Sequence, residues 1–128
     1  MKNKSKILFV CLGNICRSPT AHAILEKKIL DENLQHKIIV DSAGTGDWHI
    51  GRPPDLRAQK IALRHNYDLS NLKARQVSFA DFYDFDYILA MDKQNLIDLK
   101  AMAPLDFSGS LQLFLDFGST DKNEVPDP

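Results

Sequence analysis

The sequence predicts an α/β fold: a parallel sheet with helices on both faces. Three observations predict it. Short, continuous apolar runs alternate with longer segments whose apolar residues recur at helical spacing. Capping and turn residues stand at the boundaries between them. The resulting order, β-α-β-α-β-α-β, is that of a parallel sheet covered on both sides.

Taken in order, residues 6–10 form the first strand, because the stretch is short, apolar after Lys6, β-branched and aromatic. Pro19 suits the first position of a helix with Ser18 as its N-cap. Ala21, Ile24, Leu25 and Ile29 then share one face, which extends that helix over 19–30. Residues 37–40 give the second strand, and the glycines and prolines of DSAGTGDWHIGRPPD make 41–55 a loop. A second helix covers 54–65, with Asn66 suited to a left-handed cap. FDYILAMD, 85–92, is the third strand, 93–102 a short helix stopped before Pro104, and SLQLFLDF, 110–117, the fourth strand. A polar tail, GSTDKNEVPDP, follows.

Length and composition narrow the function. A chain of 128 residues without repeats or a linker suits one domain, 1–128. Its 44% hydrophobic and 26% charged residues exclude a disordered chain, and its longest apolar runs are far too short for a membrane span. A net charge of −1 with scattered Lys and Arg argues against a nucleic-acid partner. The basic start, MKNKSK, precedes an apolar stretch too short for a secretory signal, so a cytoplasmic address is expected. Only two cysteines occur, Cys11 and Cys16, five residues apart; that is no secreted disulfide framework. The four histidines have no metal-binding spacing, so no metal and no cofactor are expected. They read as solvated or helix-face residues, with the cleft beside Trp48 as the alternative for His49.

The chemistry gathers where the first strand ends, the place where such sheets bind ligands. ILFVCLGNICRSP runs from strand to helix, with Cys11 at the strand's end and Arg17 six residues on. A loop over Leu12, Gly13, Asn14, Ile15, Cys16, Arg17 and Ser18 can curl its N–H groups into an anion-binding nest, and the following helix adds its positive end. Gly13 is expected to supply an unusual backbone angle within the curl. Arg17 can close the ring with two parallel bonds to phosphate oxygens. A sulfur at the centre of that nest feels the same field, which favours the thiolate, the form that attacks phosphorus.

VCLGNICRSP, with DSAGTGDWHIGRPPD, ARQVSFADFYDFDYILAMDKQN and the terminal DP, resembles the low-molecular-weight protein tyrosine phosphatases over nearly the whole chain. The resemblance implies a four-stranded parallel sheet in the order 2-1-3-4, a phosphate loop, and hydrolysis of protein phosphotyrosine through a cysteinyl-phosphate. Phosphotyrosine proteins are the implied substrates, and phosphate, sulfate or vanadate the implied anions of the loop. Cys11 and Arg17 match the family's nucleophile and phosphate-binding arginine. Asp127, in VPDP, matches its general acid and base; by sequence alone the same stretch reads as a polar tail. Asn14, Ser18 and Ser42 match residues that hold the loop, or are plain turn and cap residues. Where the family has a histidine before Ala-Arg-Gln, this chain has Leu72, which leaves one brace missing or replaced by Asn71. Arg75 and Asp92 lie in matching segments and read as ion-pair residues.

Cys16 is placed to form a reversible, protective disulfide with Cys11, or to fill space beneath the loop. Trp48, among Gly, Asp and His, reads as one wall of the substrate cleft rather than as core. Ile15 lines the cleft where related phosphoarginine phosphatases tend to have threonine, and its methyl groups suit an aromatic ring. Family members continue beyond the Asp-Pro pair with a further helix. Its absence here predicts a bare apolar sheet face, lower stability, weak activity and a weak homodimer. Three other readings stay open: a phosphate- or phosphopeptide-binding module without turnover, a phosphoarginine phosphatase, and an arsenate reductase. The last lacks the distal cysteines that a thiol relay needs.

Overall fold

The protein is described by a computed structural model over residues 4–117. Asp127 and the rest of the tail lie outside these residues. Four parallel strands form one sheet in the order β2-β1-β3-β4: β1, Ser5–Cys11; β2, Ile38–Gly44; β3, Tyr87–Ala90; and β4, Ser110–Leu113. The helices are α1, Arg17–Asp31; α2, Leu56–Arg64; α3, Asp81–Asp84; and α4, Lys93–Met102.

The period of two along β1 builds both faces of the sheet. Leu8 and Val10 join Ile88, Ala90, Leu99 and Phe82 in one cluster. Phe9 and Cys11 join Leu89 and Met91 in the other, against Ala21 and Leu25 of α1. The nucleophile candidate therefore sits on the α1 side of the central strand, where that strand runs out. Among the described residues, no helix is long and apolar enough to cross a membrane.

Several boundaries differ from those expected, each for a physical reason. Helix α1 starts at Arg17, not Pro19, and Ser18 is no N-cap: Cys16 holds that position without a side-chain bond. Proline is tolerated there because the first turn's N–H groups have no intrahelical acceptor. The second strand runs on through Asp41–Gly44, pairing with β1 as far as Cys11↔Gly44. The expected loop thus begins four residues late. The fourth strand stops at Leu113 and the chain tightens into a 3-10 turn over Phe114–Phe117. Helix α2 starts after Asp55, whose carboxylate accepts from the Ala58 N–H. Helix α4 has the expected bounds and is closed by a capping box between Asp92 and Asn95. Asn66 has the expected positive φ, 68°.

Candidate active site

β1 delivers Cys11 to the carboxyl end of the sheet, and residues 12–16 curl from it into α1. The loop is pinned from three sides. The Gly46 N–H donates to the Leu12 carbonyl at 2.9 Å, the Asp55 N–H to the Ile15 carbonyl at 2.7 Å, and the Thr45 N–H to the Cys11 carbonyl at 2.9 Å. Gly44 lets the curl lie this close, since a Cβ there would come within 2.7 Å of the Leu12 carbonyl oxygen.

The unusual backbone angle belongs to Asn14 (φ 56°), not to Gly13. Asn14 tolerates it because its side chain is bonded at both its nitrogen and its oxygen. Its Nδ2 donates to Ser18 Oγ at 2.8 Å and its Oδ1 accepts from the Arg75 N–H at 3.0 Å. Gly13 is needed for space instead: a Cβ would sit 2.9 Å from Cδ2 of His49.

Cys11 Sγ is buried and accepts from the Asn14 N–H at 3.3 Å. Ser18 Oγ lies 3.0 Å from the same sulfur. Ser18, fully buried, therefore touches the sulfur, Asn14 and, at 3.4 Å, the Ala43 carbonyl. Neither cysteine is in a disulfide.

The loop borders a cavity of about 130 Å³, lined by Cys11, Leu12, Gly13, Ile15, Cys16 and Arg17 together with Trp48 and His49. The Arg17 side chain, only 5% exposed, is held by Asp92 at 2.7 Å. Asp92 thus works twice: Oδ2 takes the guanidinium and Oδ1 caps α4 through the Asn95 N–H at 2.7 Å. An arginine aimed by a carboxylate into a nest holding a thiol is an arrangement that grips an anion and attacks it. A larger cavity, about 460 Å³, lies at the opposite end of the sheet, by Ser5, Tyr87 and Ser110. Its walls hold no thiol and no basic side chain.

Trp48 is 66% exposed and lies over Gly46, where any Cβ would strike its ring. It walls the cavity rather than the core. Ser42 is buried near the loop, but its hydroxyl meets His22 Nδ1 at 3.0 Å, not the loop itself. Leu72 packs with Ala23, Ala62 and Leu69 between α1 and α2. Asn71 is exposed, and the Asn14–Ser18 brace closes without it.

Arg75 and Asp92 are in ion pairs, as expected, and Asp92's partner is the site's own arginine. Arg75 bridges Asp81 at 2.9 Å and Asp41 at 3.0 Å. Burial alone pushes its guanidinium down, but the bonds to Asp81 and the charge of Asp41 outweigh this and raise it. His49 lines the cavity beside Trp48, while the burial of His22 on α1 escaped the sequence reading. A signal for His22 existed, since it follows Ser18 by four residues and so shares its helix face. Among the described residues no group of three or more His, Cys, Asp or Glu could hold a metal ion.

A sequence profile described as low molecular weight phosphotyrosine protein phosphatase matches residues 6–128. The low molecular weight protein-tyrosine-phosphatase YfkJ of Bacillus subtilis is 46% identical over 123 residues, 95% of this chain and 79% of that protein. PtpA of Staphylococcus aureus, of the same description, is 43% identical over 122 residues, 95% of this chain and 77% of its own. The crystal structure of YfkJ superposes with a TM-score of 0.93 at 44% identity, over 99% of this chain and 80% of that one. A drosophila arginine phosphatase superposes at 0.79 with 44% identity, over 84% of this chain and 69% of its own.

Proposed function

This chain belongs to the low molecular weight phosphotyrosine protein phosphatases, and on that premise we propose how its own residues carry the reaction. It is a phosphoric monoester hydrolase that acts on phosphotyrosine. In our reading the cavity takes the phosphoryl group, with Arg17 and the loop N–H groups on its oxygens. Cys11 Sγ attacks phosphorus, an S–P bond forms, and the bond to the phenolic oxygen breaks. Asp127 gives the leaving oxygen its proton. Water then attacks phosphorus and passes its proton to Asp127, the S–P bond breaks, and inorganic phosphate leaves with Cys11 restored as thiolate. The observation that carries this reading is Cys11 lining a small cavity whose wall also includes a buried, carboxylate-held arginine. The Asp127 step rests on the VPDP match alone.

Ile15 and Trp48 are the reading's specificity walls, one on each side of a phenyl ring. Cys16, in the cavity wall, is its redox partner for Cys11. The reading also makes 1–128 one catalytic domain, places it in the cytoplasm with phosphotyrosine proteins as partners, and includes weak self-association, checked by sedimentation.

The test is aryl-phosphate hydrolysis across pH. Cys11→Ser abolishes turnover, and Asp127→Ala removes the alkaline limb of the bell, most strongly for poor leaving groups. A binding module gives neither burst nor turnover in the wild type. The likeness to an arginine phosphatase favours one second reading, phosphoarginine as substrate. Against it stands Ile15, which offers a guanidinium no acceptor. Direct competition between phosphotyrosine and phosphoarginine peptides decides between them, and Ile15→Thr should move the ratio toward phosphoarginine.

A further inference from the structure

His22 is a buried, titratable side chain that the proposed reaction does not use, 6% exposed on α1. Both its ring nitrogens are engaged. Nε2 faces Glu26 Oε2 at 3.3 Å and Nδ1 faces Ser42 Oγ at 3.0 Å. A carboxylate only accepts, so Glu26 places the ring hydrogen on Nε2 and leaves Nδ1 of the neutral ring to accept the Ser42 hydroxyl. The result ties α1 to β2 at one point.

That point is next to the nucleophile's own support. Ser42 is followed by Ala43, and the Ala43 carbonyl is a partner of the Ser18 hydroxyl, at 3.4 Å. Ser18 stands one helical turn before His22. Its oxygen already accepts from Asn14 Nδ2, so it has one hydrogen to give and two acceptors in reach: the carbonyl at 3.4 Å and Cys11 Sγ at 3.0 Å. Hydrogen bonds weaken steeply with distance, so the spacing between α1 and β2 decides which acceptor takes that hydrogen.

We propose that His22 is a positioning residue: by fixing Ser42 against α1 it sets the α1–β2 spacing at which the Ala43 carbonyl stands at 3.4 Å and Cys11 sulfur at 3.0 Å, so that the Ser18 hydroxyl donates to the nearer sulfur. The inference rests on the reading of Cys11 as nucleophile and adds to it a residue that touches neither substrate nor sulfur. It also answers the Leu72 departure. Where the family resemblance leads one to expect a histidine beside the loop, the buried histidine of this chain arrives from α1.

The experiment measures, for wild type and variants, the rate of iodoacetamide alkylation of Cys11 against pH, with kcat and KM for an aryl phosphate. A wild-type burst and an inactive Cys11→Ser establish the parent reading first; without them it is the parent reading that falls. Given them, His22→Ala should raise the alkylation midpoint by about one pH unit and lower kcat about tenfold, the worth of one bond to a charged acceptor. KM and inhibition by inorganic phosphate should stay within about twofold, because the Arg17–Asp92 grip is separate. His22→Asn, which keeps an acceptor where Nδ1 stood, should restore most of the loss. Ser42→Ala should reproduce it, and the double variant should be no worse than either single one. If His22→Ala does not fold, His22→Asn and Ser42→Ala carry the test. A lowered melting temperature with an unmoved alkylation midpoint and kcat in the folded variants overturns the inference.

Discussion

The two halves of this sheet are buried by opposite means. On one face of the sheet Leu8, Val10, Ile88 and Ala90 pack with Leu99 of α4 as an apolar cluster, all essentially without exposure. At and beside the carboxyl end the buried residues include Asn14, Arg17, Ser18, His22, Ser42 and Asn95. The first region needs only volume and shape. The second needs every donor and acceptor met, since an unmet buried polar group costs free energy. The two tolerate change differently as a result: the apolar half should lose stability and keep its chemistry, while the polar half should lose chemistry out of proportion to stability.

Arg17→Lys would break the contrast most strongly. A lysine keeps the charge and loses the planar fork, so kcat/KM for an aryl phosphate should fall about 10²–10³-fold while the melting temperature changes little. Equal loss of both would remove the distinction. Leu99→Ala tests the other half. Removing a fully buried leucine should cost about 2–5 kcal/mol in urea unfolding, with kcat/KM within about twofold where the variant is folded. Asp92→Asn sharpens the comparison, because it separates two tasks of one side chain. The cap on α4 should survive, while the weakened hold on Arg17 should lower kcat/KM about tenfold. Gly13→Ala should have the smallest effect, a few-fold rise in KM, because the new methyl must displace only the His49 ring.

The same division explains what was legible in the sequence. The apolar half announces itself: the run at 7–10, a third strand within 85–92, which the structure trims to Tyr87–Ala90, and the helix over 93–102 follow from pattern. Pattern fails where polar groups are buried. Asp41 and Ser42 look like the end of β2, yet the strand continues because Asp41 has Arg75, and Ser42 has His22, as partners across the fold. Ser18 looks like a helix cap because cap residues and loop braces are chemically alike. Gly13 and Asn14 exchange roles, since an asparagine whose amide is bonded at both ends holds the left-handed angle and the glycine serves a ring packed on it. Helix α3, only four residues long, shows no period to read. Cys11, Ile15, Arg17 and Trp48, which the structure brings to one cavity, were legible as candidates because they lie in local motifs. The Arg17–Asp92 pair was not, because 75 residues separate its members.

The most direct test of the whole account is to stop the reaction with acid within its first turnover of an aryl phosphate and locate the phosphoryl group by peptide mass spectrometry. The account predicts a phosphoryl adduct on Cys11, none on Cys16, and none in Cys11→Ser. Turnover that proceeds with no adduct on Cys11, or with the adduct on another residue, would contradict it.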